Sequence, residues 1–223
     1  FPALDTLRFV GALGVLVTHV AFQTGQYNSS VRGTFFARLD CGVALFFVLS
    51  GFLLSRPFLS RMASKSVLPH VGFYAWKRVL RIVPVYLLTI VLVLSLMPPS
   101  RGPFWPRFFN DTATTEIYTP HDLPQGLTQM WSLATEVAFY AVLPVLMLGV
   151  ARTACRREWR PVPIMAILLG LCAITLIWLA TADLSSHQSL WLPAFLSWFS
   201  AGIALAVVSV DMTMPEPHRW SRS

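Results

Sequence analysis

Arg8 and His19 stand eleven residues apart in the run Leu7-Arg8-Phe9-Val10-Gly11-Ala12-Leu13-Gly14-Val15-Leu16-Val17-Thr18-His19-Val20, which is otherwise apolar or small. At about 100° per residue a helix returns that separation almost to the same azimuth, and it spans roughly 16 Å of axis. Ionisable groups are costly in hydrocarbon and turn toward the bundle interior, so the pair marks a functional path across a bilayer. An imidazole at one end of such a path can take a proton from a hydroxyl. A carboxylate beside it would stabilise its protonated form and orient its ring. Glu136, five residues into a later apolar run that begins at Trp131, is the candidate for that role. The alternative for either group is a hydrogen bond between neighbouring helices with no chemistry attached.

A second set of charges precedes another apolar run, in Tyr74-Ala75-Trp76-Lys77-Arg78-Val79-Leu80-Arg81-Ile82-Val83-Pro84. On a short helix Arg78 and Arg81 share a face and offer two guanidinium groups to a multiply charged phosphate. Lipid-headgroup anchoring is the competing role. Pro84 suits the first turn of the helix that follows, where a missing amide hydrogen costs little. Ser50 and Gly51 lie in Phe46-Phe47-Val48-Leu49-Ser50-Gly51-Phe52. Small residues there allow close helix packing or leave a pore lining for a ligand chain. No base stands near Ser50 in sequence and the setting is not a strand-to-helix elbow, so a nucleophilic serine is not expected.

The elements that carry these groups are membrane helices. Hydrophobic residues make up 55% of the 223 and charged residues only 12%, which excludes an ordinary soluble or disordered chain. The formal charge of +7 does not point to nucleic acid, because the basic residues gather in short stretches between apolar runs. Cys41, Cys155 and Cys172 are an odd count without paired spacing, and they read as packing residues. None of the five histidines stands three or four residues from another, so no metal is expected.

Six apolar segments run from Leu7 to Phe22, Cys41 to Leu54, Ile82 to Met97, Trp131 to Val150, Val162 to Ala180 and Leu190 to Val210. Several are shorter than the roughly 20 residues a bilayer needs, so they must extend into polar flanks or bend inward. Arg56, Arg61, Lys65, Lys77, Arg78 and Arg81 lie between the second and third segments, and Arg152, Arg156, Arg157 and Arg160 between the fourth and fifth. The positive-inside tendency places both stretches and both termini in the cytoplasm. Asp40, Asp111, Glu116, Asp122 and Asp183 then all fall outside. Trp76, Trp105, Trp131, Trp159 and Trp191 lie near segment ends, where an indole is at home among headgroups. The expected organisation is a transmembrane domain over residues 1–210 and a cytoplasmic loop or tail over 211–223. The chain begins at Phe1 with no initiator Met or charged leader, and reads as a fragment.

Leu4-Asp5-Thr6-Leu7-Arg8, the Arg8 to His19 spacing, the Phe46 to Phe52 run, Arg78-Val79-Leu80-Arg81 and Trp131-Ser132-Leu133-Ala134-Thr135-Glu136 occur in this order. Together they resemble the membrane-bound acyltransferase 3 family, with an actinobacterial style in the Trp131 to Tyr140 segment. The resemblance implies an all-α polytopic bundle of about ten helices, helices being one of the two structures able to span hydrocarbon. This chain would cover the first half to two-thirds of it. The resemblance also implies an acyl-CoA donor, with no permanently bound cofactor, whose phosphates meet Arg78, Arg81 and Arg8 from the cytoplasm. His19, assisted by Glu136, would act near the outer face on a hydroxyl of a glycan or glycolipid acceptor, as general base or as transient acyl carrier. Residues 109–119, polar and threonine-rich, depart from the family and read as an external loop or a corrupted stretch. A transporter or flippase of a glycan or lipid intermediate is the main competing function, since intramembrane Arg, His and Glu also line transport paths. A structural or partner-binding membrane subunit is another.

Overall fold

A computed structural model describes residues 2–28, 30–96, 127–155, 158–183 and 187–214. The threonine-rich stretch 109–119, Trp105, Asp111, Glu116, Asp122, Arg156, Arg157 and residues 215–223 lie outside the described residues. Among the described residues all regular structure is helical. The helices are α1 (Pro2–Gln23), α2 (Val31–Arg38), α3 (Cys41–Ala63), α4 (Val71–Leu96), α5 (Trp131–Thr153), α6 (Pro161–Thr181) and α7 (Leu196–Met212). Short 3₁₀ turns at Thr128–Met130, His187–Leu190 and Leu192–Phe195 join the later ones.

Six stretches are long and apolar enough to cross a membrane, with α2 and α3 forming one of 33 residues. The chain is an all-α polytopic membrane bundle. Its helices outrun the apolar segments because backbone groups in hydrocarbon must be satisfied within the helix, while basic side chains near the ends reach back to water. α3 continues through Arg56 and Arg61 to Ala63, and α4 begins at Val71, so the basic stretch between them is mostly helical. Only residues 64–70 connect the two. This corrects the reading of Arg78 and Arg81 as part of a short separate helix. It also corrects Pro84, which lies in the interior of α4. There it removes one intrahelical donor, a loss that membrane helices tolerate when neighbouring groups compensate.

α3 is the central helix, packing most extensively on α7 and then on α1 and α5. Glycines set the close approaches. A Cβ on Gly51 would collide with the backbone carbonyl of Phe199, one on Gly202 with that of Val48, and one on Gly42 with that of Gly11. Beside the α3–α7 crossing the rings of Phe47 and Phe199 stack at 4.6 Å, and those of Phe139 and Phe199 at 3.9 Å. This aromatic layer locks α3, α5 and α7 together in the main core. Thr135 Oγ1 donates to the carbonyl of Leu190 at 2.7 Å, and Thr175 Oγ1 to that of Pro193 at 2.9 Å. The buried Asp211 accepts from Trp159 Nε1 at 2.8 Å, so that indole serves a protein partner.

α4 is held differently. Its buried residues Tyr86, Ile90 and Leu94 form a separate small cluster against Met130 and Leu133. It therefore leans on the start of α5, and space remains between α1, α3, α4 and α5. Of the cysteines, Cys41 is exposed at the start of α3, contrary to a packing role, while Cys155 and Cys172 are half-buried. Burial pushes the Cys155 thiol up.

Candidate functional site

The space between those helices is a cavity of about 620 Å³. Arg8 from α1, Ser50 from α3, Arg78 and Arg81 from α4, and Glu136 and Tyr140 from α5 supply its polar lining. Helical spacing explains why these residues meet. Arg78, Arg81, Ile82, Val85 and Thr89 form one stripe of α4, and Leu133, Glu136 and Tyr140 one stripe of α5. On α3, Gly51 is pinned against the backbone of α7. Ser50, about 100° around the helix, then faces α5 and the cavity. The two small residues have separated roles: Gly51 packs and Ser50 lines the site.

Glu136 is the electrostatic centre. Ser50 Oγ donates a hydrogen bond to its Oε1, and the Tyr140 hydroxyl stands beside the same carboxylate. The charges of Arg8 and Arg81 act on it directly. Tyr74 Oη donates to the backbone carbonyl of Tyr140 at 3.3 Å, tying α4 to α5 at this level. Three guanidinium groups thus share the cavity lining with one carboxylate, and the cavity keeps an excess of positive charge. Arg8 also approaches Asp5 at 3.5 Å, but Asp5 is 75% exposed, and so open a pair neutralises little. Arg78 Nε is buried without a hydrogen-bond partner. An orphaned buried donor is costly, and an anion in the cavity would relieve it.

His19 is placed elsewhere. It is half-buried on α1, and it is not among the residues lining the arginine cavity. Its helical register puts it on the azimuth of Arg8, roughly 16 Å along the axis. Next to it Thr18 Oγ1 donates to the carbonyl of Phe36 at 2.8 Å, fixing α1 to α2. Among the described residues no hydrogen bond or ion pair joins His19 to Glu136. The crossing of α3 and α5 turns the carboxylate to Ser50 and the arginines instead.

The structure therefore gathers Arg8, Ser50, Arg78, Arg81 and Glu136 and leaves His19 outside that lining. Sequence reasoning missed Tyr140. Its position four residues after Glu136, on the same helical face, was the available signal.

A family model described as an acyltransferase domain, acyltransferase 3, matches residues 1–214. The peptidoglycan O-acetyltransferase OatA of Listeria monocytogenes is 26% identical over 194 residues, covering 80% of this chain and 28% of the relative. The acyltransferase MdmB of Streptomyces mycarofaciens is 31% identical over 170 residues, or 71% of this chain and 42% of the relative. A regulator of hypoxia-inducible factor 1 from Caenorhabditis elegans is 25% identical over 171 residues, 65% of this chain and 33% of the relative. The matched stretch spans less than half the length of each of these relatives. No solved structure matches the chain. With nearly its whole length matched and the five sequence pieces mapped onto adjoining membrane helices, the chain belongs to the acyltransferase 3 family.

Proposed function

We propose that this chain forms part of an integral membrane O-acyltransferase that moves an acyl group, acetyl in the simplest case, from cytoplasmic acyl-CoA to a hydroxyl of an extracytoplasmic or lipid-linked glycan. One observation carries the proposal: three arginines, one with a buried unpartnered donor, converge on a single cavity whose carboxylate is held by hydroxyls. Its volume, about 620 Å³, is that of a small-molecule site. Guanidinium groups suit the phosphates of a CoA donor. The relatives named as an O-acetyltransferase and an acyltransferase support the reaction type.

In this reading Arg8, Arg78 and Arg81 hold the donor's phosphates, and its arm runs along the α1 face toward His19. His19 takes the proton as the acceptor oxygen attacks the thioester carbonyl. The carbon–sulfur bond breaks and the proton passes to the departing thiolate. Glu136 positions the arginines and tempers their mutual repulsion. In this reading the amino terminus is cytoplasmic, the side that the positive-inside tendency favours for the basic residues of the α3–α4 region, and the protein resides in the plasma membrane.

Mass spectrometry of envelope glycans and glycolipids from cells with and without the gene tests this reading. An acyl mass difference on a glycan is expected. Identical glycan masses, with a glycan or lipid intermediate accumulating on one side of the membrane, would favour a transporter or flippase instead.

A further inference from the structure

A second cavity, of about 470 Å³, adjoins the first. Leu53, Leu54 and Arg78 belong to both linings, so the two spaces meet at Arg78. The second is built from the end of α3, the 64–70 connection and the first turns of α4, and it carries Arg61, His70 and Lys77. Among the described residues no carboxylate lines it, and the sequence has none between Asp40 and Asp111. Among the described residues neither Arg61, Lys77 nor Arg78 enters an ion pair.

The cations are held by neutral partners. Arg61 Nη1 donates to the carbonyl of Val67 at 2.7 Å, which fixes the guanidinium against the connection. Lys77 Nζ lies 4.2 Å from the centre of the Phe73 ring. Like charges gathered without carboxylates repel one another, and an anion between them converts that repulsion into binding.

The two chambers differ in chemistry. The first combines its arginines with the Glu136 carboxylate, whereas the second sets Arg61, Lys77 and Arg78 beside His70 and the rings of Phe73 and Tyr74, with no carboxylate among its described lining residues. A ligand with phosphates near its middle and another phosphate on a terminal nucleotide matches this division. We propose that the second cavity is the subsite for the 3′-phosphorylated nucleotide end of a CoA donor, with Arg61 and Lys77 on the terminal phosphate and Arg78 shared with the diphosphate. The inference rests on the acyl-CoA reading above and adds where the far end of the donor is held.

The test compares CoA with 3′-dephospho-CoA by titration calorimetry on the full-length protein in neutral detergent. Wild type should bind CoA about tenfold or more tightly than the dephospho form, since bonds to a charged group contribute about 1.5–3 kcal/mol. In Arg61→Ala with Lys77→Ala the two affinities should converge. Lys77→Gln alone, at an exposed position, should narrow the gap and guards against misfolding of the double variant. Undiminished discrimination in both variants, or none in wild type, would overturn the subsite. Loss of wild-type discrimination only when phosphatidylglycerol is added would assign the cations to lipid headgroups and also overturn it. Failure of wild type to bind either molecule would instead remove the donor reading on which the subsite stands.

Discussion

Ser50 and Glu136, 86 positions apart in sequence, share a hydrogen bond across the α3–α5 crossing. The carboxylate is thereby committed to the arginine cavity, and α3, α4 and α5 are coupled at the level where Arg8, Arg81 and Tyr140 also converge.

Glu136→Gln keeps an oxygen able to accept from Ser50 and removes the negative charge among three guanidinium groups. Acyl transfer should fall by about tenfold or more, since positioned charge and proton-transfer groups contribute at least that much. Ser50→Ala should cost less, because Tyr140 still stands beside the carboxylate. Acyl incorporation into envelope glycans, normalised to protein in the membrane, distinguishes the two. A larger loss in Ser50→Ala would indicate that the hydroxyl has its own chemical role.

The helix contacts make a separate prediction about stability. Gly202→Ala and Gly51→Ala place a methyl group on the backbone of the opposing helix and should each destabilise by about 1–3 kcal/mol. Gly149→Ala and Gly170→Ala have nothing within 4 Å of the new carbon and should be neutral or slightly stabilising. Thermal unfolding in detergent separates the pairs. Equal effects at all four positions would contradict the α3–α7 crossing.

Topology is open to direct labelling. Single cysteines at positions 65 and 185, in a background lacking Cys41, Cys155 and Cys172, should react with an impermeant maleimide from opposite sides, position 65 from the cytoplasm. Labelling of both from one side would rule out the orientation proposed for the bundle.

The fold was legible in the sequence because hydropathy reports burial in lipid directly: all six apolar segments became membrane-capable helices. Their ends were not legible. Composition places Arg61, Lys77, Arg78 and Arg81 in a polar gap, whereas backbone pairing extends α3 and α4 through them and carries Pro84 into a helix interior. Within the site, helical spacing on α4 brought Arg78 and Arg81 to one face, and the small pair Ser50-Gly51 marked a close approach. What spacing along single helices cannot encode is the relative depth of two of them. Matching Glu136 to His19 by distance from the outer ends neglected the crossing of α3 and α5. That crossing brings Glu136 to Ser50 and toward the arginines, while Gly51 and the aromatic layer hold α3 and α5 against α7.

His19 and the arginines are expected to separate functionally, since only the arginines line the cavity. The decisive measurement is CoA affinity on the full-length protein for wild type, His19→Ala and the Arg78→Ala, Arg81→Ala double variant, taken together with glycan acylation in cells. Donor binding should survive in His19→Ala while acylation is lost, and the double variant should bind CoA at least about a hundredfold more weakly, from about 1.5 kcal/mol or more per arginine. Undiminished CoA binding in the double variant, or full acylation with His19→Ala, would contradict the assignment of phosphate recognition to the arginine cavity and of proton transfer to His19.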